Sequence, residues 1–315
     1  MKLLPRQTHG FGWILLHGFG WIISSLGFSF NLSAEEFAVV GYLPAYRIEN
    51  WSKTVGPLTD LIYFGMPAPD DGRFDPTAIP EKHLAILRSF KKQSSCRILF
   101  TVGGWKQSAG FNKIVATPLG RRKFIQAARN YCLQNHFDGI DYDWEHPKQR
   151  QQVNGFQLLV KETAEQFSPK NLMVTIAQAG WQTFQPEFYK TVDRVHLMAY
   201  DHGFPQATIE KTSSDLNRLL RGGCPRKKII LGIPFYGRSK DNTAKPYSEL
   251  AQISPAQTDS NLIAGFAFNG PQLVRRKVNK ADTEKLGGVM AWEIGQDASG
   301  FNSLLRTIAD ELQNQ

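Results

Sequence analysis

The sequence is poor in cysteine, with three in 315 residues: Cys96, Cys132 and Cys224, widely spaced and odd in number. That excludes a dense disulfide frame and any paired-cysteine metal site. At most one bridge can form, so stability must come from an apolar core, with single buried thiols as the default. The first strand-like run lacks a Gly-rich phosphate fingerprint, since "GYLPAYRIENW" contains no G-x-G-x-x-G. Low-complexity tracts and repeat-protein periods are also missing. Beyond residue 34 no run is long and apolar enough to span a bilayer.

Residues 1–34 carry only two charges, Lys2 and Arg6, followed by the apolar "FGWILLHGFGWIISSLGFSF" and then "NLSA". A charged start, an apolar stretch and a small-residue cleavage candidate are the pattern of a secretory signal. The length of the run leaves an uncleaved membrane anchor through residues 11–30 as the alternative. In both cases residues 35–315 are expected to work outside the cytoplasm. The formal charge of +9 falls to +7 without Lys2 and Arg6. Basic clusters begin at Arg121, Pro225 and Arg275, but no nucleic-acid recognition motif accompanies them. They read as solvated helix surface, with attraction to an anionic wall or membrane as the sharper alternative.

From about Glu36 onward, short apolar runs alternate with longer amphipathic ones. Eight strand candidates cover 37–42, 61–66, 97–104, 139–144, 172–177, 194–200, 228–235 and 287–292. Helical stretches are expected at 80–93, 118–136, 151–167, 213–222, 270–282 and 302–312. Continuous apolar strands separated by helices imply a parallel sheet covered by helices. Eight such units fit a single-domain (β/α)8 TIM barrel, with its active site on the loops after the strands. A doubly wound open sheet is the competitor.

One strand candidate is unusual. In "FDGIDYDWEHP" four carboxylates fall within eight residues, Asp138 to Glu145. With side chains alternating along a strand, Asp141, Asp143 and Glu145 share one face and Ile140, Tyr142 and Trp144 the other. The acids are expected inside the barrel and the aromatics under the helices. Asp138 has the opposite parity, which suggests a structural job binding backbone amides near the strand's start. Carboxylates spaced by about 6–7 Å and shielded from water cannot all ionise cheaply, so at least one keeps its proton. Such a group is what a general acid requires, and Glu145, nearest the rim, is best placed to use it. A calcium loop starting at Asp141 fails, because His146 and Gln152 stand where Gly and Glu are needed.

At these residues the chain resembles glycoside hydrolase family 18, the chitinase family. Asp138, Asp141, Asp143 and Glu145 meet its D-x-x-D-x-D-x-E pattern. "TVGGW" resembles the Ser-x-Gly-Gly signature of the third strand, with Thr101 in place of Ser and Gly103 and Gly104 as structural glycines. "MAYD", "GIPFYGR" and "GGVMAWEIGQD" resemble the sixth, seventh and eighth strands, in order. The resemblance implies retaining, substrate-assisted hydrolysis of β-1,4 links between N-acetylglucosamine units, an exception to the two-carboxylate rule. It casts Glu145 as acid and base, Asp143 as partner of the acetamido nitrogen, Asp141 as tuner of Asp143, and Tyr200 as partner of the acetamido oxygen. Trp292 would floor the sugar, while Tyr42, Met198 and Asp201 would line the pocket. Trp105 and Phe64 complete the expected sugar contacts, and Trp181 and Phe184 are also on loops after strands. The insertion between strands 7 and 8 is short, which predicts a shallow groove.

No metal or organic cofactor is implied, because acid, substrate amide and water complete the chemistry. The expected partner is a polysaccharide or oligosaccharide containing N-acetylglucosamine, with no nucleic acid, and the expected state is a monomer. Two other readings remain at this point. One is action on N-glycan cores or peptidoglycan by the same chemistry. The other is a non-catalytic lectin, against which the presence of Glu145, Asp143 and Tyr200 argues.

Overall fold

The computed structural model describes residues 37–52, 56–253 and 260–314. The signal or anchor expected at residues 1–34 lies outside them. No helix among the described residues is long and apolar enough to cross a membrane.

Eight parallel strands close into a barrel: β1 (Ala38–Pro44), β2 (Asp60–Met66), β3 (Arg97–Gly103), β4 (Gly139–Asp143), β5 (Met173–Ala179), β6 (Arg194–Met198), β7 (Ile229–Pro234) and β12 (Gly288–Trp292). The order around it is β1-β12-β7-β6-β5-β4-β3-β2, which is the (β/α)8 arrangement expected from the alternation. Each of the eight strand-like runs in the sequence supplies one barrel strand.

Helices α1 (Glu81–Gln93), α3 (Pro118–Asn135), α4 (Arg150–Phe167), α6 (Ile209–Arg221), α8 (Pro271–Thr283) and α9 (Leu304–Gln313) match the long amphipathic stretches. Local chemistry sets their ends. Thr117 caps α3 by accepting the Gly120 amide at 3.0 Å, with Pro118 at the first helical position. Gln152 reaches back to the Gln149 amide at 2.9 Å to start α4. The short helices α2 (Phe111–Val115), α5 (Pro186–Thr191) and α7 (Tyr247–Ile253) have too few turns for a legible period.

Between β7 and β12 the chain builds a small antiparallel sheet of β8 (Tyr236–Arg238), β9 (Ala244–Pro246), β10 (Leu262–Ile263) and β11 (Phe266–Ala267), in the order β10-β11-β8-β9, together with α7. This is the short insertion. Its first strands wall one side of the cleft through Tyr236, Arg238 and Ala244.

The apolar residues fall into two cores. The larger lies between barrel and helices and takes Ile140, Tyr142 and Trp144 from the acidic strand. There the Tyr142 hydroxyl meets Thr163 Oγ1 of α4 at 2.9 Å. The smaller fills the barrel interior with Val40, Tyr42, Ile62, Phe64, Leu99, Ile230 and Met290, against which Tyr200 and Trp292 pack. The pleat thus separates aromatics from acids on β4. All three cysteines are buried and unpaired.

Candidate active site

Register places Thr101, Asp141 and Thr175 side by side on β3, β4 and β5. Both threonine hydroxyls donate to the Asp141 carboxylate, at 3.1 Å and 2.6 Å. Tyr42 of β1 donates to it at 2.9 Å. His196 of β6 brings Nδ1 to 2.8 Å from the Tyr42 oxygen and 3.2 Å from Asp141. All of these bonds are satisfied when Nδ1 carries the imidazole proton. A fully buried carboxylate is therefore surrounded by donors, as burial of charge requires.

Two residues on, Asp143 is treated differently. Its Oδ1 is buried without a hydrogen-bond partner among the described residues. Burial, then the charges of Glu145 and Asp141, hold its pKa well above the carboxylate range. The next acid, Glu145, lies just past the strand and is half-buried. Burial first, then the negative charge of Asp201, push its carboxyl up to about 7, opposed by a hydrogen bond from the Trp105 amide. Ser108 fixes the backbone here. Its Oγ accepts the Glu145 amide at 3.1 Å and lies 3.0 Å from the Asp143 carbonyl oxygen. The sequence argument asked for at least one retained proton among three inward acids, and desolvation is the leading cause at both Asp143 and Glu145.

A cleft of about 840 Å³ opens above these groups, lined by Tyr42, Asp143, Glu145, Met198, Tyr200, Asp201 and Trp292. Every one of them was singled out in the sequence. Trp105 and Trp181 also line it, with 67% and 57% of their surfaces exposed, as two rings at the mouth. Asp201 accepts from the Tyr236 hydroxyl at 2.7 Å and from Arg238 Nε and Nη2 at 2.6 and 3.0 Å. The insertion is thereby tied to the end of β6.

Two aromatics considered as sugar contacts, Phe64 and Phe184, sit elsewhere, while Asp138 binds a backbone amide near the start of β4. Phe64 does not line the cleft; it is 6% exposed and packs edge-on beneath Trp292, with ring centroids 4.8 Å apart. Phe184 is buried in the helix-side core against Phe188, 4.7 Å away. Asp138 lies at the opposite end of β4, where Oδ2 accepts the Ile98 amide at 2.7 Å and Lys91 Nζ at 2.6 Å. Gly103 and Gly104 have φ of 99° and 104°. A Cβ on Gly103 would stand 2.3 Å from the Asp143 carbonyl oxygen, and one on Gly104 2.2 Å from Phe64 Cζ.

Sequence reasoning missed His196 and Thr175. Period-two counting back from Tyr200 and Met198 already puts His196 on the same inward face, a signal that was available. Thr175 depends on the β4–β5 register, which the sequence does not state. Among the described residues no group of three or more His, Cys, Asp or Glu is arranged to hold a metal ion.

The sequence profile of "Glycosyl hydrolases family 18" matches residues 38–297. Chitinase 1 of Aphanocladium album is 26% identical over 294 residues, covering 74% of this chain and 69% of that protein. Endochitinase 1 of Metarhizium robertsii is 26% identical over 291 residues, covering 73% and 68%. Among solved structures, a chitinase from the chitin utilization locus of Flavobacterium johnsoniae superimposes with a TM-score of 0.78 at 24% identity, over 89% of this chain and 94% of that one. A chitinase mutant from Cycas revoluta in complex with (GlcNAc)4 gives 0.76 at 24%, over 87% and 99%. At these identities the superpositions speak for the fold.

Proposed function

The chain belongs to glycosyl hydrolases family 18, and from that premise we propose that it is an exported enzyme cleaving β-1,4 links between N-acetylglucosamine units, as in chitin and chito-oligosaccharides. The observation that carries the reading is Glu145: a half-buried carboxyl at the rim end of three inward acids, held near pKa 7. A carboxyl that keeps its proton up to about neutral pH and faces a cleft can donate to a leaving oxygen.

In this reading Glu145 gives its proton to the glycosidic oxygen as the C–O bond breaks. The substrate's own acetamido oxygen attacks the anomeric carbon, forming an oxazolinium ion. Water then attacks that carbon, loses a proton to Glu145, and the ring opens to restore the acetamide with retention. Asp143, with a free buried oxygen beside the acid, accepts from the acetamido nitrogen and balances its developing charge. Asp141 is held by four neighbours and tunes Asp143 through its charge. Tyr200 steadies the acetamido oxygen, and Trp292, propped by Phe64, offers an aromatic face to the sugar. Export rests on the apolar run that follows Lys2 and Arg6.

The test is hydrolysis of fluorogenic chitobiose and chitotriose substrates by the full chain and its Glu145→Gln variant. Loss of roughly 10²–10⁴ in kcat, with chito-oligosaccharide binding retained, supports the assignment. An active Glu145→Gln variant, or a parent that binds without turnover, would sink it.

A further inference from the structure

A second concavity, about 870 Å³, lies beside the catalytic cleft. Its walls come from the start of α4, the loop before α5 and the last turn of α6. Four cations line it: Lys148, Arg150, Arg218 and Arg221. Among the described residues no carboxylate lines it. Arg218 faces both concavities, so the groove continues the cleft rather than standing apart from it.

The charges are largely uncompensated. Arg218 Nη1 lies 3.3 Å from Asp215, but Asp215 also meets His202 Nε2 at 2.5 Å. Among the described residues, Lys148, Arg150 and Arg221 have no carboxylate within ion-pair distance. Glu187, next in sequence to the lining residue Pro186, pairs with Lys190 instead, at 2.8 Å. On the adjoining cleft wall Lys211 Nζ donates only to carbonyls, those of Pro205 at 2.7 Å and His202 at 3.2 Å. His146 and Trp181, rings 4.9 Å apart, line the cleft with Glu145 and Arg218, and Trp181 is open to solvent. The cleft that holds the acid and an exposed aromatic ring therefore shares Arg218 with a basic trough.

A neutral N-acetylglucosamine polymer offers hydroxyl and carbonyl acceptors but no opposite charge to four cations, and a deacetylated, cationic one would be repelled. A concave surface of one sign focuses its potential and raises the local concentration of the opposite charge. We propose that this groove is a subsite for a carboxylate-bearing extension of an N-acetylglucosamine glycan, making acidic glycans preferred over neutral chitin. The proposal rests on the hydrolase reading above and narrows its substrate class.

Arg150 and Arg221 touch none of the catalytic groups, so their reversal tests the groove alone. The full chain and its Arg150→Glu/Arg221→Glu variant would be assayed on carboxymethyl chitin and on neutral glycol chitin, at about 20 and 300 mM salt to vary screening. The expected result is a fall of about tenfold in kcat/KM on carboxymethyl chitin at low salt, shrinking at high salt, with glycol chitin changed less than about twofold. The milder Arg150→Gln/Arg221→Gln variant should fall between parent and reversal. Equal losses on both polymers, or no loss on either, would overturn the groove while leaving the hydrolase reading intact. If the parent cleaves neither polymer nor the fluorogenic chito-oligosaccharides, salt-sensitive binding of carboxymethyl chitin to Glu145→Gln, abolished by the reversal, would uphold the groove and reject the hydrolase. Binding indifferent to the reversal would reject both.

Discussion

Tyr42 donates to Asp141 at 2.9 Å, joining β1 to β4 across the barrel interior. The same hydroxyl lies 2.8 Å from His196 Nδ1, so one phenol bridges an acid and an imidazole. Tyr42→Phe removes both contacts without changing the ring that packs 5.5 Å from Trp292. Loss of a hydrogen bond to a buried charge costs about 1.5–3 kcal/mol, so kcat should fall roughly 10- to 100-fold with KM little altered. Steady-state kinetics on a fluorogenic chitotriose substrate decide this, and an unchanged kcat would show that Asp141 does not need the bridge.

Activity should follow the protonated form of Glu145. With its carboxyl at about 7, the group is charged above that value, so the basic limb of kcat/KM should fall through neutral pH. Asp201 contributes to that elevation by its negative charge. Asp201→Asn should therefore move the limb to lower pH, and a pH–rate profile that moves upward would contradict the account.

Stability should carry the same signature with a definite sign. The folded protein holds the Glu145 proton more tightly than the unfolded chain does, whose carboxyl has the ordinary value of 4.5. Stability from this group is therefore lost as pH rises from 4.5 through about 7, and Asp143, also raised, acts in the same direction. Glu145→Gln removes the loss. The Tm of the variant relative to the parent should rise between about pH 5 and pH 8 in thermal melts, and a difference that shrinks would reverse the assignment.

Gly104→Ala should be poorly tolerated. Its φ of 104° is strained for any side chain, and the added Cβ would stand 2.2 Å from Phe64 Cζ, the ring under Trp292. Backbone strain and overpacking together should cost on the order of 2–5 kcal/mol. Denaturant unfolding measures it, and a change within error would mean that Phe64 can shift freely.

Asp138→Ala separates the two ends of the acidic strand. It deletes the acceptor of the Ile98 amide and the partner of Lys91, far from the cleft. The expected loss is about 1–3 kcal/mol of stability with kcat per folded molecule unchanged. A parallel drop in kcat would place Asp138 in the catalytic machinery.

The sequence by itself determined the eight strands, the six long helices and the inward face of β4, because burial imposes periods of 2 and 3.6 that survive as patterns of residue type. Asp141, Asp143 and Glu145 were legible as one inward face for the same reason, whereas Tyr200 and Trp292 were legible through the resemblance of "MAYD" and "GGVMAWEIGQD" to strands of the family. Tertiary structure alone decided what those residues touch. Barrel closure brings Tyr42 to Asp141 and sets Thr101 and Thr175 at its flanks, contacts fixed by register between strands far apart in the chain. It also put Phe64 beneath Trp292 and Phe184 in the helix-side core, although both are aromatics at or near strand ends. Residue type cannot say which of two apolar neighbours an aromatic will cover. The basic groove was invisible for a related reason. Lys148 and Arg150 come from the entry to α4, Arg218 and Arg221 from the end of α6, and only the packing of those helices around the barrel turns scattered positive charges into one surface.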